Sequence, residues 1–194
     1  MYYSSFRIRN FKGIKDTTVT LAEQSKAGVF AFVGLNESGK TTILEAIHSF
    51  SPDSATGELV GSEGKSGVPF RERVPRHLIS NFTDDVSVTA TVRISAEEKK
   101  DIIQSLKREP QLIVDPDSFP DEVTIERQQR FNGGDFVASY FSLRTPMQIK
   151  TGKQKKWRAP NKEEREQIRD EIYNRTPILR IFRPLFSISR IKYF

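Results

Sequence analysis

The chain has 194 residues, 31 Lys and Arg against 25 Asp and Glu, a net charge of +6, and no cysteine. Its hydrophobic fraction of 36% and charged fraction of 29% fit a soluble globular fold, one domain or one lobe of something larger. Disulfides and thiolate zinc sites are excluded, no apolar run reaches membrane-span length, and Met1-Tyr2-Tyr3-Ser4 does not begin a signal peptide. The expected setting is a reducing cytoplasm with no membrane partner, and the positive balance mildly favours a polyanionic one.

Phe6-Arg7-Ile8-Arg9 alternates apolar and basic, the period of a half-buried strand. Lys12-Gly13 marks a turn, and Thr17 to Leu21 reads as a second strand antiparallel to the first. Val29-Phe30-Ala31-Phe32-Val33 is a continuous apolar run, as expected of a parallel strand buried on both faces. It leads into Gly34-Leu35-Asn36-Glu37-Ser38-Gly39-Lys40-Thr41, a full match to the phosphate-loop pattern G-x-x-x-x-G-K-[ST]. Ile43, Leu44, Ile47 and Phe50 then recur at helical spacing until Ser51-Pro52 stops the run.

These residue types suit a phosphate. Gly34 and Gly39 permit backbone angles that let successive N–H groups turn inward, and the loop feeds a helix N-terminus whose dipole favours an anion. Lys40 is expected on the β- and γ-phosphates, and the Thr41 hydroxyl on Mg²⁺. Thr42 completes the candidate set. The ligand expected is a nucleotide with its metal, ATP and Mg²⁺.

The run Phe6-Arg7-Ile8-Arg9-Asn10-Phe11-Lys12-Gly13-Ile14, followed by Gly34 through Thr42 and Ile43-Leu44-Glu45-Ala46-Ile47, resembles the N-terminal lobe of ABC-type ATPase heads. It is most similar to the SMC, RecF and OLD-like group of AAA family ATPases. Such heads open with an I-x-N-F-(K/R)-G strand, then a G-x-N-x-(S/A)-G-K-(S/T) loop and an (L/I)-(L/I)-E-A-I helix. The resemblance is strong over about the first 50 residues and loose beyond them. It implies an α/β P-loop NTPase lobe with an antiparallel β-subdomain, here expected to be incomplete and to span residues 1–194 as one unit. It implies ATP and Mg²⁺ as cofactors, a second ATPase head as partner (a homodimer or another protein), and work on DNA in repair or phage defence. It also implies that the basic residue after the first strand, Lys12, approaches the nucleotide phosphates; from the residues alone, a solvated turn lysine fits equally.

Beyond the first helix, residues 51–80 carry Gly57, Gly61, Gly64 and Gly67 and read as a mobile surface loop. Gly61 to Ser66 lacks the spacing of a second phosphate loop. His48 and His77 have no metal-binding companions in sequence and read as structural or solvated. Val86 to Ile94 is a β-branched alternating strand, and Ser95 to Glu98 is a capping box for a helix with Ile102, Ile103 and Leu106 on its apolar face. Leu112-Ile113-Val114-Asp115 is a Walker B candidate, but Pro116 stands where the catalytic glutamate belongs, and the segment reads as a loop among prolines. Asn132-Gly133-Gly134-Asp135 reads as a hairpin turn between two strands, with Gln128 and Gln129 on a polar hairpin face rather than on a metal.

Residues 150–158 hold five cations, Lys150, Lys153, Lys155, Lys156 and Arg158, around the only tryptophan. This is either a DNA-backbone contact or, as favoured here, a hairpin edge kept soluble by lysines. Asn161 and Glu164 cap a charged helix running to about Asn174. From Ile172 on there is no acidic residue: the end of the chain is either a last core strand from Ile178 to Phe182 with a basic tail, or the point where a longer reading frame is broken. Neither an Asp-Glu strand end nor a serine-glycine-glycine signature is present. The chain is therefore expected to bind ATP without efficient turnover. A self-contained P-loop kinase and a non-catalytic regulator of a partner head are the alternatives.

Overall fold

The computed structural model describes residues 1–21, 29–35, 38–51, 70–108, 111–152 and 156–179. Strand β1 (Tyr2–Phe11) buries Tyr3, Phe6, Ile8 and Phe11 and exposes Arg7 and Arg9, as the alternation predicts. Two irregularities keep all four on one side: a register shift between Tyr3 and Ser5, and a left-handed Asn10 before Phe11. β2 (Ile14–Thr20) returns antiparallel, pairing Val19 with Phe6 and Ile14 with Phe11.

Helix α1 (Lys40–Phe50) follows the phosphate loop, and α2 (Phe70–Arg73) is a single turn leading to a 3-10 turn at Arg76–Leu78. Next come β3 (Asp85–Arg93), α3 (Ala96–Arg108), β4 (Leu112–Val114), β5 (Glu122–Asn132), β6 (Asp135–Leu143), β7 (Ile149–Thr151) and α4 (Lys162–Tyr173). One antiparallel sheet has the order β2-β1-β3-β5-β6, and a second pairs β4 with β7. Phe6, Ala90, Ile125 and Leu143 form one register row on the core face, while Arg7, Thr89, Glu126 and Ser142 form a polar row on the other.

α1 packs its C-terminal half on the core face of β1 and β3, burying Ala46, Ile47 and Phe50 and leaving Ile43 half-buried. The Phe50 ring makes edge contacts with Phe6 at 5.9 Å, Phe141 at 5.9 Å, Tyr173 at 6.1 Å and Tyr3 at 6.2 Å. Truncating such a ring to alanine costs about 3–5 kcal/mol, so it anchors the helix that carries the loop. Arg127 Nε donates to the Phe50 carbonyl at 2.8 Å, and Tyr173 donates to Ser51 Oγ at 2.8 Å. A cation at the carbonyl end of a helix also complements its dipole. The capping boxes expected at Ser95–Glu98 and Asn161–Glu164 are both formed.

Four expectations need correction. Val29 to Val33 is not a strand, and it is not buried: Val29 is 69%, Phe30 42% and Val33 93% exposed. A central parallel strand needs neighbours along its edges, and among the described residues both sheets are antiparallel and neither includes this run. Residues 70–80 are not loop, because Val74 enters the core and fixes the turns on either side of it; the glycine-rich remainder, 52–69, lies outside the described residues. Leu112–Val114 is a strand after all, since Pro116 follows it rather than interrupting it. Ile178 and Leu179, the start of the strand offered as one of two readings of the chain's end, are irregular, with Ile178 70% exposed, and residues 180–182 lie outside the described residues.

Candidate nucleotide site

Gly39 is the residue before α1 and takes φ 84° and ψ 4°, a left-handed conformation that side chains resist. Among the described residues no side chain caps the helix, and its first turn holds no acid. The first helical bond runs from the Ile43 N–H to the Gly39 carbonyl at 3.0 Å, so the N–H groups of Lys40, Thr41 and Thr42 lie ahead of the ladder. Three donors and the positive end of the dipole thus converge where the loop arrives.

Lys40 Nζ is turned back onto that loop. It donates to the Gly34 carbonyl at 2.8 Å, to Ser38 Oγ at 3.2 Å and to the Leu35 carbonyl. A Cβ on Gly34 would stand 3.2 Å from Ser38 Oγ, so the loop closes tightly over glycine there. Thr41 is exposed at the mouth and Thr42 is half-buried. Asn36 and Glu37 lie outside the described residues. An uncapped helix start, a glycine-lined loop and an ammonium parked on carbonyls fit a phosphate chain, and the exposed Thr41 hydroxyl fits a metal bound to it.

Lys12 reaches the same helix from the β1–β2 turn. Its Nζ lies 2.7 Å from Glu45 Oε2, with the two side chains 26% and 13% exposed. Its backbone N–H donates to the Arg73 carbonyl at 2.6 Å. Burial, and then the nearby Arg127 charge, push the Arg73 guanidinium down to about 10, which leaves it charged at neutral pH. Lys12 is therefore no solvated turn lysine: it stands on α1, against Glu45 rather than on the loop itself. Glu45 is the residue that sequence reasoning passed over as a site. The available signal was its position four residues after Thr41, which puts both on one face of the helix.

Residues 5–191 match a protein family described as AAA domain. The chain belongs to the AAA domain family. That agrees with a P-loop NTPase of the SMC-like kind read from the N-terminal motifs, and the match takes in most of the basic tail. Among solved structures, this AAA domain is similar to a chain reported under structural biochemistry of ATP-driven dimerization and DNA stimulated activation of SMC ATPases. The two share 18% identity over 89% of this chain and 78% of that chain, with a TM-score of 0.44. No curated protein matches.

Other candidates of the AAA domain fall elsewhere. Asp115 accepts from the Asp117 N–H at 3.2 Å and caps the 3-10 turn Pro116–Ser118, so its carboxylate has a local structural task. Gln128 bridges Asp85 at 2.6 Å and Arg144 at 2.8 Å on the polar sheet face, and Gln129 is buried on the other. His48 is buried in α1, and His77 is exposed. In the basic stretch, Lys150 lies over the Trp157 ring at 4.4 Å, Arg158 binds Glu164 through two bonds of 2.7 and 2.5 Å, and Ile149 bridges to Arg158. Two of the five cations are thus engaged internally, and Lys153 and Lys155 lie outside the described residues. Among the described residues, no group of three His, Asp or Glu side chains is placed to hold a metal.

Proposed function

We propose that this AAA domain binds ATP with Mg²⁺ at the cradle from Gly34 to Thr42, as the nucleotide-binding lobe of an SMC, RecF or OLD-like ATPase. The observation that carries the reading is the uncapped start of α1, entered through left-handed Gly39 and closed by Lys40 on its own loop carbonyls. In this reading Lys40 leaves Gly34 and Leu35 for the phosphates, and the N–H groups at the helix start take their oxygens. Thr41 would hold the metal, which neutralises phosphate charge when bound.

The finer reading is that two such heads pair around ATP and that the pairing does work on DNA, in repair or phage defence. Its support is the motif resemblance over the first 50 residues. The basic stretch 150–158 would contribute backbone contacts to DNA, and any such contact falls steeply with salt.

Thermal unfolding with added nucleotide tests the reading. A ligand that binds only the folded state raises the midpoint with its concentration. The midpoint should climb with ATP and Mg²⁺ and remain fixed with adenosine; no rise at millimolar ATP would overturn the proposal.

A further inference from the structure

The β1–β2 connection is a two-residue hairpin, Lys12-Gly13, whose first central position calls for a positive φ although lysine is no glycine. Asn10 and Lys12 take φ values of 54° and 51°, two left-handed non-glycine residues flanking Phe11. Each such residue costs roughly 1 kcal/mol, and conformations of this kind persist only where the surroundings enforce them. The enforcement is visible. Asn10 Nδ2 donates to Asp84 Oδ2 at 3.1 Å and to the Asp85 carbonyl at 3.0 Å, and the Lys12 N–H donates to Arg73. What the turn presents, under this constraint, is the Lys12 ammonium against Glu45 of α1.

Glu45 stands just over one helical turn, about 6 Å, behind Thr41 on the same face. Helical side chains lean toward the N-terminus, so its carboxylate is tilted toward the phosphate end of α1. The Lys12 ammonium, bonded to that carboxylate, is thereby held beside the helix that begins at the phosphate loop.

We infer that Glu45 is a positioning residue that parks the Lys12 ammonium and releases it to the nucleotide phosphates when ATP binds. The inference rests on the ATP reading above. No bond is made or broken: the ammonium exchanges a carboxylate oxygen for a phosphate oxygen. The half-buried pair holds Lys12 ready while opposing its transfer, because ATP must compete with Glu45. A staple that only fastened the turn to the helix would behave in the opposite way, since removing it would loosen the site and weaken binding.

The sign of one substitution separates the two. ATP with Mg²⁺ is titrated into the full chain and into Glu45→Gln, Lys12→Met and the double variant, with the nucleotide-free unfolding midpoint of each as the check on folding. Glu45→Gln should lower the dissociation constant about twofold to fivefold, the scale of a partly exposed ion pair, and the gain should vanish in the double variant. Should Glu45→Gln fail to fold, Glu45→Asp, with its carboxylate one methylene further back, should give a smaller gain in the same direction. Unchanged or weaker binding in a folded Glu45 variant, or a gain that survives Lys12→Met, overturns the inference alone. No binding by the unaltered chain overturns the ATP reading and the inference with it.

Discussion

Lys40 Nζ lies 2.8 Å from the carbonyl oxygen of Gly34, so the lysine of the phosphate loop closes the loop that carries it. The contact explains two features together. It gives the ammonium acceptors in place of a phosphate, with Ser38 Oγ at 3.2 Å as another, and it folds the loop tightly enough that a Cβ at Gly34 would crowd Ser38. A phosphate arriving at the start of α1 meets a cation already within one side-chain movement. The strength of the interaction then comes from exchanging neutral carbonyl acceptors for charged ones.

The β5–β6 turn gives a stability prediction. Gly133 and Gly134 take φ values of 59° and 85°, the pair of left-handed residues that a two-residue hairpin demands. A Cβ on Gly133 meets nothing within 4 Å, whereas one on Gly134 would fall 1.9 Å from the Ile79 carbonyl oxygen. Gly133→Ala should cost about 1 kcal/mol from strain alone, and Gly134→Ala about 3 kcal/mol or more, because the backbone of residues 79–80 must move. Urea denaturation of the two variants checks this, and equal costs would contradict the close approach.

A second prediction concerns acid. The hydrogen bonds from Arg158 hold the Glu164 carboxyl below its ordinary value of 4.5; partial burial works against them, and the Asn161 N–H adds to them. A carboxyl whose folded value is depressed contributes stability that is fully present above about pH 5 and is lost as the pH falls through the folded value. The difference in unfolding midpoint between the unaltered chain and Arg158→Ala should therefore be largest near neutrality and shrink as the pH falls below the ordinary carboxyl value and on through the folded one. A difference that does not change with pH would mean that Arg158 acts by packing alone.

Turnover is the third. Hydrolysis needs a metal-organising aspartate and a group that orients water, and comparable single groups are worth about 10³–10⁵ in rate. The Walker B candidate Asp115 is occupied in capping a turn. Phosphate release by the purified chain should stay about a thousandfold or more below an ordinary turnover of about 10 s⁻¹. Ordinary turnover that Lys40→Ala abolishes would place a catalytic acid among residues assigned here to structure.

The features that were legible in the sequence are the local ones. The Asn161–Glu164 box, the Gly133-Gly134 turn and the strand alternation of Phe6 to Arg9 are each set by residues within four positions of one another. The start of α1 directly after Gly39 was legible for the same reason. Val29 to Val33 was misread because apolarity gives a strand its reason to be buried but not its neighbours, which are a tertiary property. β4 was missed because its partner β7 lies beyond a whole hairpin. The Lys12–Glu45 pair joins residues 33 positions apart, and no local pattern announces it.

Calorimetric titration of ATP with Mg²⁺ into the chain and into Lys40→Ala, side by side, tests the phosphate cradle most directly. The geometry predicts saturable binding by the chain and a loss of about tenfold or more in the variant, because a charge-assisted contact to phosphate is removed while the loop backbone remains. Equal affinity in the two proteins would contradict it and place the nucleotide away from this loop.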